Sequence, residues 1–371
     1  MISSSGLWLL LGALLCLGTW PAVIEICGRS GRHPCHVYLD YSAAYFVVTC
    51  GVAAACDSSF FQRRLPVPLV LTAAGGGTML MLGNLSFQRS LLLGVPVTVV
   101  LPLQASLTVV LGTSLNYWLQ PELSSVVFLF LGVAVFLGAI VLASSAHARH
   151  ERDMRNKYGE ELTRDDDDVV GESQQSALHP EQQPLPRREV SQQTERTTQR
   201  QPQHSVVRGL CVAFAGGLCF GFFSPAFNVA VNDEFNWSSG APLSVFGANF
   251  FFGVAFALAS AASNALLMRF PLRHDPPSTW RAYVADNHGR FLALVAGILC
   301  AGGNALQFAG GQKAGFAAAD LVQAFPLVGT AWGILLLGEF KGASDRVKAT
   351  LVVMYGLYAV GVAFLALSAV D

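Results

Sequence analysis

Asp320 and Gln323 stand three residues apart in an otherwise nearly apolar run, GFAAADLVQAFPLVGTAWG (Gly315–Gly333). Just upstream, Asn304 and Gln307 repeat that spacing in GILCAGGNALQFAGG (Gly297–Gly311). Residues three apart share a helix face, so each pair sets two polar groups side by side. A carboxylate at the centre of a membrane helix costs roughly 2.5–3.5 kcal/mol, and an amide in hydrocarbon needs a partner. Groups retained at that cost point to recognition of a polar solute. An amide offers both a donor and an acceptor, which fits an imide or ureide edge. Burial disfavours a carboxylate's charged form, which suits taking up and releasing a proton. The plainer readings are an Asp320 that partners a helix terminus or Lys313, and amides that bond helix to helix.

Weaker candidates lie elsewhere. Asn84 and Gln104 are loose counterparts in the first half of the chain. Thr19 and Trp20 precede Pro21, which frees a backbone carbonyl and can kink a helix. Trp20 can stack on a planar ring or anchor at a membrane interface. Asn228 repeats the theme beside Ser224 and Pro225. Glu25 and Glu339 sit near the ends of apolar runs, where snorkelling or capping explains them. The eight histidines all fall in loops or at helix ends, which argues against a buried imidazole relay. No nucleophile–base pair, metal-ligand spacing or dinucleotide-binding glycine pattern stands out, so an enzyme, a metal site and a bound cofactor are not expected.

These residues must be held by membrane helices. Hydrophobic residues make up 53% of the 371 and charged residues 13%, against about 25% charged in a soluble domain. A span needs about 20 mostly apolar residues. Ten stretches qualify: Leu7–Ile26, Tyr41–Phe61, Pro66–Gln88, Leu92–Trp118, Leu123–Ser144, Val206–Val231, Leu243–Met268, Arg290–Gly311, Phe316–Gly338 and Val347–Ala369. The first lacks a basic leader and runs on past Trp20, so it reads as a retained span rather than a signal peptide. Helices are expected, because lipid forces backbone groups to pair within the segment. Most of the eight cysteines lie in apolar runs, where a thiol packs as a small hydrophobe. Cys27 and Cys35 flank one loop, which leaves a disulfide open there.

A hydrophilic segment, 146–205, carries roughly half of the charged residues and becomes Gln-rich with scattered Pro. It has too few large apolar groups to offset the entropy of ordering, so disorder is expected. Asp165–Asp168 reads as a solvated acidic run. The segment divides the spans five and five, giving a first repeat over 1–145 and a second over 206–371. Gly94–Gly112 aligns with Gly315–Gly333 without a gap, glycine on glycine at both ends, in the fourth and ninth spans. An odd number of spans per repeat inverts the second copy, and inverted repeats place a solute near the midplane. The fold class expected is an all-α membrane protein of ten transmembrane helices in two inverted five-helix repeats, with a disordered central loop.

Lys and Arg set the orientation. Those of the even-numbered loops are Arg63, Arg64 and Lys313 only; the odd-numbered loops and the span ends beside them hold the rest. The central loop is therefore expected in the cytoplasm and both termini outside. The formal net charge of −1 leaves no basic patch for nucleic acid.

Several strings, in order, resemble the plant ureide permease family of the drug/metabolite transporter superfamily. They are LGTWPAV (Leu17–Val23), Tyr38-Leu39-Asp40-Tyr41, GNLSFQ (Gly83–Gln88), LTVVLGTSLNYWL (Leu107–Leu119), FSPAFNVAVND (Phe223–Asp233), Asn287–Arg290, Gly303–Val328 and LLLGEF (Leu335–Phe340). The resemblance implies a ten-span permease that takes up allantoin, uracil and related oxopurines with protons. One departure stands out. The family is expected to carry a Glu in the fourth span where this chain has Val99, opposite Asp320 in the repeat alignment. The expected function is a proton-coupled permease of small polar heterocycles in the plasma membrane, with the lipid bilayer, protons and a small molecule as partners and a homodimer open. The alternatives are a sugar or general metabolite carrier of the same superfamily, and a non-transporting receptor or scaffold.

Overall fold

The computed structural model describes residues 4–63, 65–93, 95, 97–121, 125–176, 203–238, 241–272, 277–336, 338 and 340–368; the side chains of Asp320, of 158–176 and of a few other residues lie outside that description. Among the described residues every regular element is a helix. The long ones are α1 (Ser4–Arg29), α2 (Pro34–Cys56), α3 (Val67–Leu92), α4 (Val97–Leu119), α5 (Val126–Ser176), α6 (Gln203–Asn232), α7 (Val245–Arg269), α8 (Arg290–Ala314), α9 (Phe325–Leu335) and α10 (Asp345–Ser368). Nine of these are long and apolar enough to cross a membrane; α9 is the shorter exception.

Local sequence sets the ends. Ser244 accepts from the Gly247 amide at 3.1 Å to cap α7, and Pro34 occupies the first turn of α2, where its missing N–H is not needed. The helix α2 begins before its expected start at Tyr41 because Arg32 and Arg290 pair with Asp40. A charged turn can then join an apolar helix.

Two expectations need correcting. The ninth span, Phe316–Gly338, is not one continuous helix. It comprises a turn of α-helix (Phe316–Ala319), a 3₁₀ segment (Asp320–Ala324) and α9. Gly315 enters it at φ 90°, and Pro326 in the first turn of α9 cannot donate to the preceding turn. Second, α5 does not stop at Ser144 but continues to Ser176. Residues 146–164 are rich in Arg and Glu, which favour helix, with acidic and basic residues at i, i+4. The first part of the segment expected to be disordered is therefore helical; residues 177–202 lie outside the described residues.

The closest packing puts α1 on α8, α3 on α6, and α5 on α10; α2 lies against α7 and α8, and α3 against α7. Glycine permits two of these contacts. A Cβ on Gly297 of α8 would overlap the Tyr41 carbonyl of α2, and one on Gly77 of α3 would overlap the Phe252 carbonyl of α7. None of the eight cysteines, Cys27 and Cys35 included, forms a disulfide among the described residues.

Candidate functional site

A small cavity of about 80 Å³ lies where α1, α3, α4, α6, α8 and the broken segment meet. Its polar wall is Thr108 and the amides Asn84, Gln104, Asn304, Gln307 and Gln323, and Trp20, Phe87, Phe220, Phe223 and Phe325 supply the aromatic wall. All five amides are at least nine-tenths buried. The sequence places Asn304 and Gln307 on one face of α8. The tertiary structure adds Asn84 from α3 and Gln104 from α4. The 3₁₀ turn carries Gln323 in beside them.

The amides differ in what holds them. Asn304 Nδ2 donates to Tyr45 Oη at 3.1 Å and lies 3.5 Å from Cys300 Sγ. Gln104 Nε2 donates to Ser86 Oγ at 3.0 Å and to the Ala213 carbonyl at 3.2 Å. Both ends of the Gln307 amide have no hydrogen-bond partner among the described residues. An unpaired buried polar group costs about 1–3 kcal/mol, so an amide left unsatisfied at both ends is an expense that a bound solute would relieve. Trp20, on α1, faces the cavity and sits 5.4 Å from the Tyr41 ring.

Two expected site residues lie outside the cavity wall. Thr19 Oγ1 donates to the Leu15 carbonyl at 2.6 Å and accepts from Trp332 Nε1 at 2.9 Å, tying α1 to α9. Asn228 is fully buried in a polar ladder. Asn116 donates to Ser224 at 3.1 Å, Asn228 to Asn116 at 3.3 Å, Asn232 to Asn228 at 2.6 Å and Gln312 to Asn232 at 3.1 Å. Asp320 opens the 3₁₀ turn that carries Gln323, with its side chain outside the described residues. Val99 is 43% exposed on α4 and lines neither the cavity nor its approach. Glu339 lies outside the described residues.

The cavity continues into a vestibule of about 790 Å³, sharing Trp20, Pro21, Asn84, Phe87, Leu101 and Phe325 with it. The far part of the vestibule is lined by His147, His150, Glu151 and Lys157 of α5 and by Lys341. The ladder lies at the opposite end of the bundle, where α4, α6 and α8 finish.

Sequence reasoning missed a charged cluster at the vestibule end. Asp40 accepts from Arg32, from Tyr283 at 2.6 Å and from Arg290 at 3.2 Å. Asp286 accepts from Arg32 Nε at 3.3 Å and pairs with His36 Nδ1 at 2.6 Å; His36 Nε2 lies 2.6 Å from Ser278 Oγ. Burial pushes the Asp286 carboxyl up, but hydrogen bonds from His36 and Arg32 and the Arg32 charge more than offset it and hold it below the usual range. Burial and the Asp40 carboxylate push the Tyr283 hydroxyl up to about 12. The signal was present in the motifs at Asp40 and Arg290, but these lie far apart in the chain and at the edges of apolar runs.

The ureide permease family model matches residues 37–368. The chain belongs to the ureide permease family. Ureide permease 5 of Arabidopsis thaliana is 38% identical, over 97% of this chain and 93% of its own length. Ureide permease 2 of the same plant is 38% identical over 95% and 94%. Probable ureide permease A3 of Vigna unguiculata is 37% identical over 90% and 95%. One solved crystal structure shares the fold, with a TM-score of 0.58, 18% identity and 98% of each chain covered. This permease is therefore an integral membrane transporter and not an enzyme. Its amide-lined cavity lies within the matched region, except for Trp20 and its neighbours on α1.

Proposed function

We propose that this permease carries ring ureides and related neutral heterocycles, allantoin and uracil among them, across the plasma membrane together with protons. The observation that carries the reading is the cavity wall. Five buried amides and an indole surround it, without a charged side chain among the described lining residues. Amides satisfy the alternating N–H and C=O edge of a ureide, and aromatic rings flank its planar faces. A sugar carrier of the same superfamily is the second reading; the flat aromatic wall favours a planar ring.

The same proposal includes ten membrane passes in two inverted halves, 1–145 and 206–371, with the broken ninth span as the tenth crossing. Helix pairing supports it. Exchanging each helix with the one five places on maps α1 on α8 to α6 on α3, and α2 on α8 to α7 on α3. The tight glycines follow the exchange: Gly297 meets α2 as Gly77 meets α7. Asn84 and Asn304, each next to a glycine, line the cavity from both halves. Discontinuous helices are a common home for transporter sites. The vestibule is the cytoplasmic mouth on the loop-charge orientation, and the polar ladder closes the outer side. A homodimer is left to direct measurement of mass.

Asp320 is assigned the proton. Uptake of radiolabelled allantoin or uracil into expressing cells should quicken as the external pH falls, and Asp320→Asn should remove the pH dependence and most of the flux. Normal pH-sensitive uptake by that variant discards the coupling role; absence of uptake for both compounds discards the substrate class. Labelling of a cysteine in the central segment from outside the cell would reverse the orientation.

A further inference from the structure

The hydrogen-bond polarity of the cavity can be assigned at one amide. Ser86 Oγ donates its proton to the Gly83 carbonyl at 2.7 Å, so only lone pairs are left for Gln104. The other neighbour of that end of Gln104 is the Ala213 carbonyl, which can only accept. The group facing both must be the NH₂; the flipped amide would set an oxygen against two acceptors. Gln104 Oε1 is then buried and without a partner among the described residues, on a side chain that lines the cavity. Gly216 makes this clamp possible, because a Cβ there would collide with Ser86 Oγ and crowd Gln104 Nε2. Gln307, unpartnered at both ends, can turn either end to a ligand. Gln104 has no such choice.

We propose that Ser86 and Gly216 are positioning residues that hold Gln104 with its carbonyl toward the solute, so that the site selects rings presenting an N–H at the α4 edge and rejects rings presenting a lone pair there. The proposal rests on the cavity being the solute site. A site built to hydrogen-bond one group discriminates strongly against an isostere that leaves its own polar group unpaired. The clamp therefore decides specificity without touching the solute.

Uracil and cytosine test it, being nearly isosteric and neutral, with donor and acceptor exchanged along one edge. Displacement of radiolabelled allantoin from the purified full-length protein gives the ratio of their affinities. Wild type should prefer uracil by about tenfold or more. Ser86→Ala frees the Gln104 amide to turn and should narrow the ratio severalfold, with cytosine gaining; Ser86→Thr keeps the hydroxyl and should keep the ratio. Gly216→Ala should narrow it too, and if that variant fails to fold, Ser86→Ala carries the test alone. An unchanged ratio in Ser86→Ala with binding intact overturns the inference. So does a wild-type protein that binds allantoin but does not distinguish the two pyrimidines. A wild-type protein that binds none of the three overturns the functional reading itself, and the inference with it.

Discussion

Trp332 Nε1 donates to Thr19 Oγ1 at 2.9 Å, joining α9 to α1 beside the cavity rather than inside it. The indole of one broken span thus finds its acceptor on the helix that also supplies Trp20. A polar residue expected to meet the solute instead steadies the segment that carries Gln323 and Asp320.

Thr19→Val should accordingly act on stability. The substitution removes both hydrogen bonds of the hydroxyl, to the Leu15 carbonyl and from Trp332, each worth about 1 kcal/mol. A lower melting temperature of the solubilised protein, with the uracil-to-cytosine preference unchanged, is the expected result. A changed preference with unchanged melting would return Thr19 to the site.

Gln307 should behave in the opposite way. Its amide is unsatisfied at both ends, and replacing a buried unpaired group by an apolar one of similar shape is nearly neutral or stabilising. Gln307→Leu is expected to melt no lower than wild type while losing most uptake. Such a gain in stability with a loss of activity is the mark of a functional group.

The helix contacts predict a sharp contrast between two glycines of α8. Gly297 lies against the Tyr41 backbone, whereas no atom of another element among the described residues lies within 4 Å of a Cβ on Gly302. Gly297→Ala should destabilise by about 1–3 kcal/mol through overpacking. Gly302→Ala should be tolerated or gain up to about 1 kcal/mol from helix propensity. Thermal melts of the two variants compare them directly.

The charged cluster predicts a pH dependence. Asp286 is held below its ordinary range in the fold. Its contribution to stability is therefore complete above the unfolded value of about 3.9 and lost as pH falls through the lower folded value. Asp286→Asn should flatten the acid limb of stability below about pH 4, read from melting temperature against pH. Asp40→Asn breaks a buried pair and should cost about 3–5 kcal/mol at neutral pH.

The membrane class, most of the helices and the amide-bearing face of α8 were legible in the chain. They depend on local properties: the length of apolar runs, residues three apart on one helix, and the cost of a polar group in lipid. The pairing of Asn84 and Gln104 with Asn304 and Gln307 was only partly legible, through the alignment of the two halves. That alignment set Val99 opposite Asp320, yet Val99 is exposed, and Leu101, Gln104, Ala105 and Thr108 are the fourth-span residues that line the cavity.

By itself the sequence determined that this protein lives in a membrane, which family it belongs to, and which amides stand inside its apolar runs. Only the tertiary structure decided that the ninth span breaks, that Asn228 joins a ladder and Thr19 a latch, and that Asp40 and Arg290 meet 250 residues apart. Hydropathy is a property of a segment, whereas a side chain's partner depends on which backbones come close. That closeness is set by where glycine lets one helix settle against another.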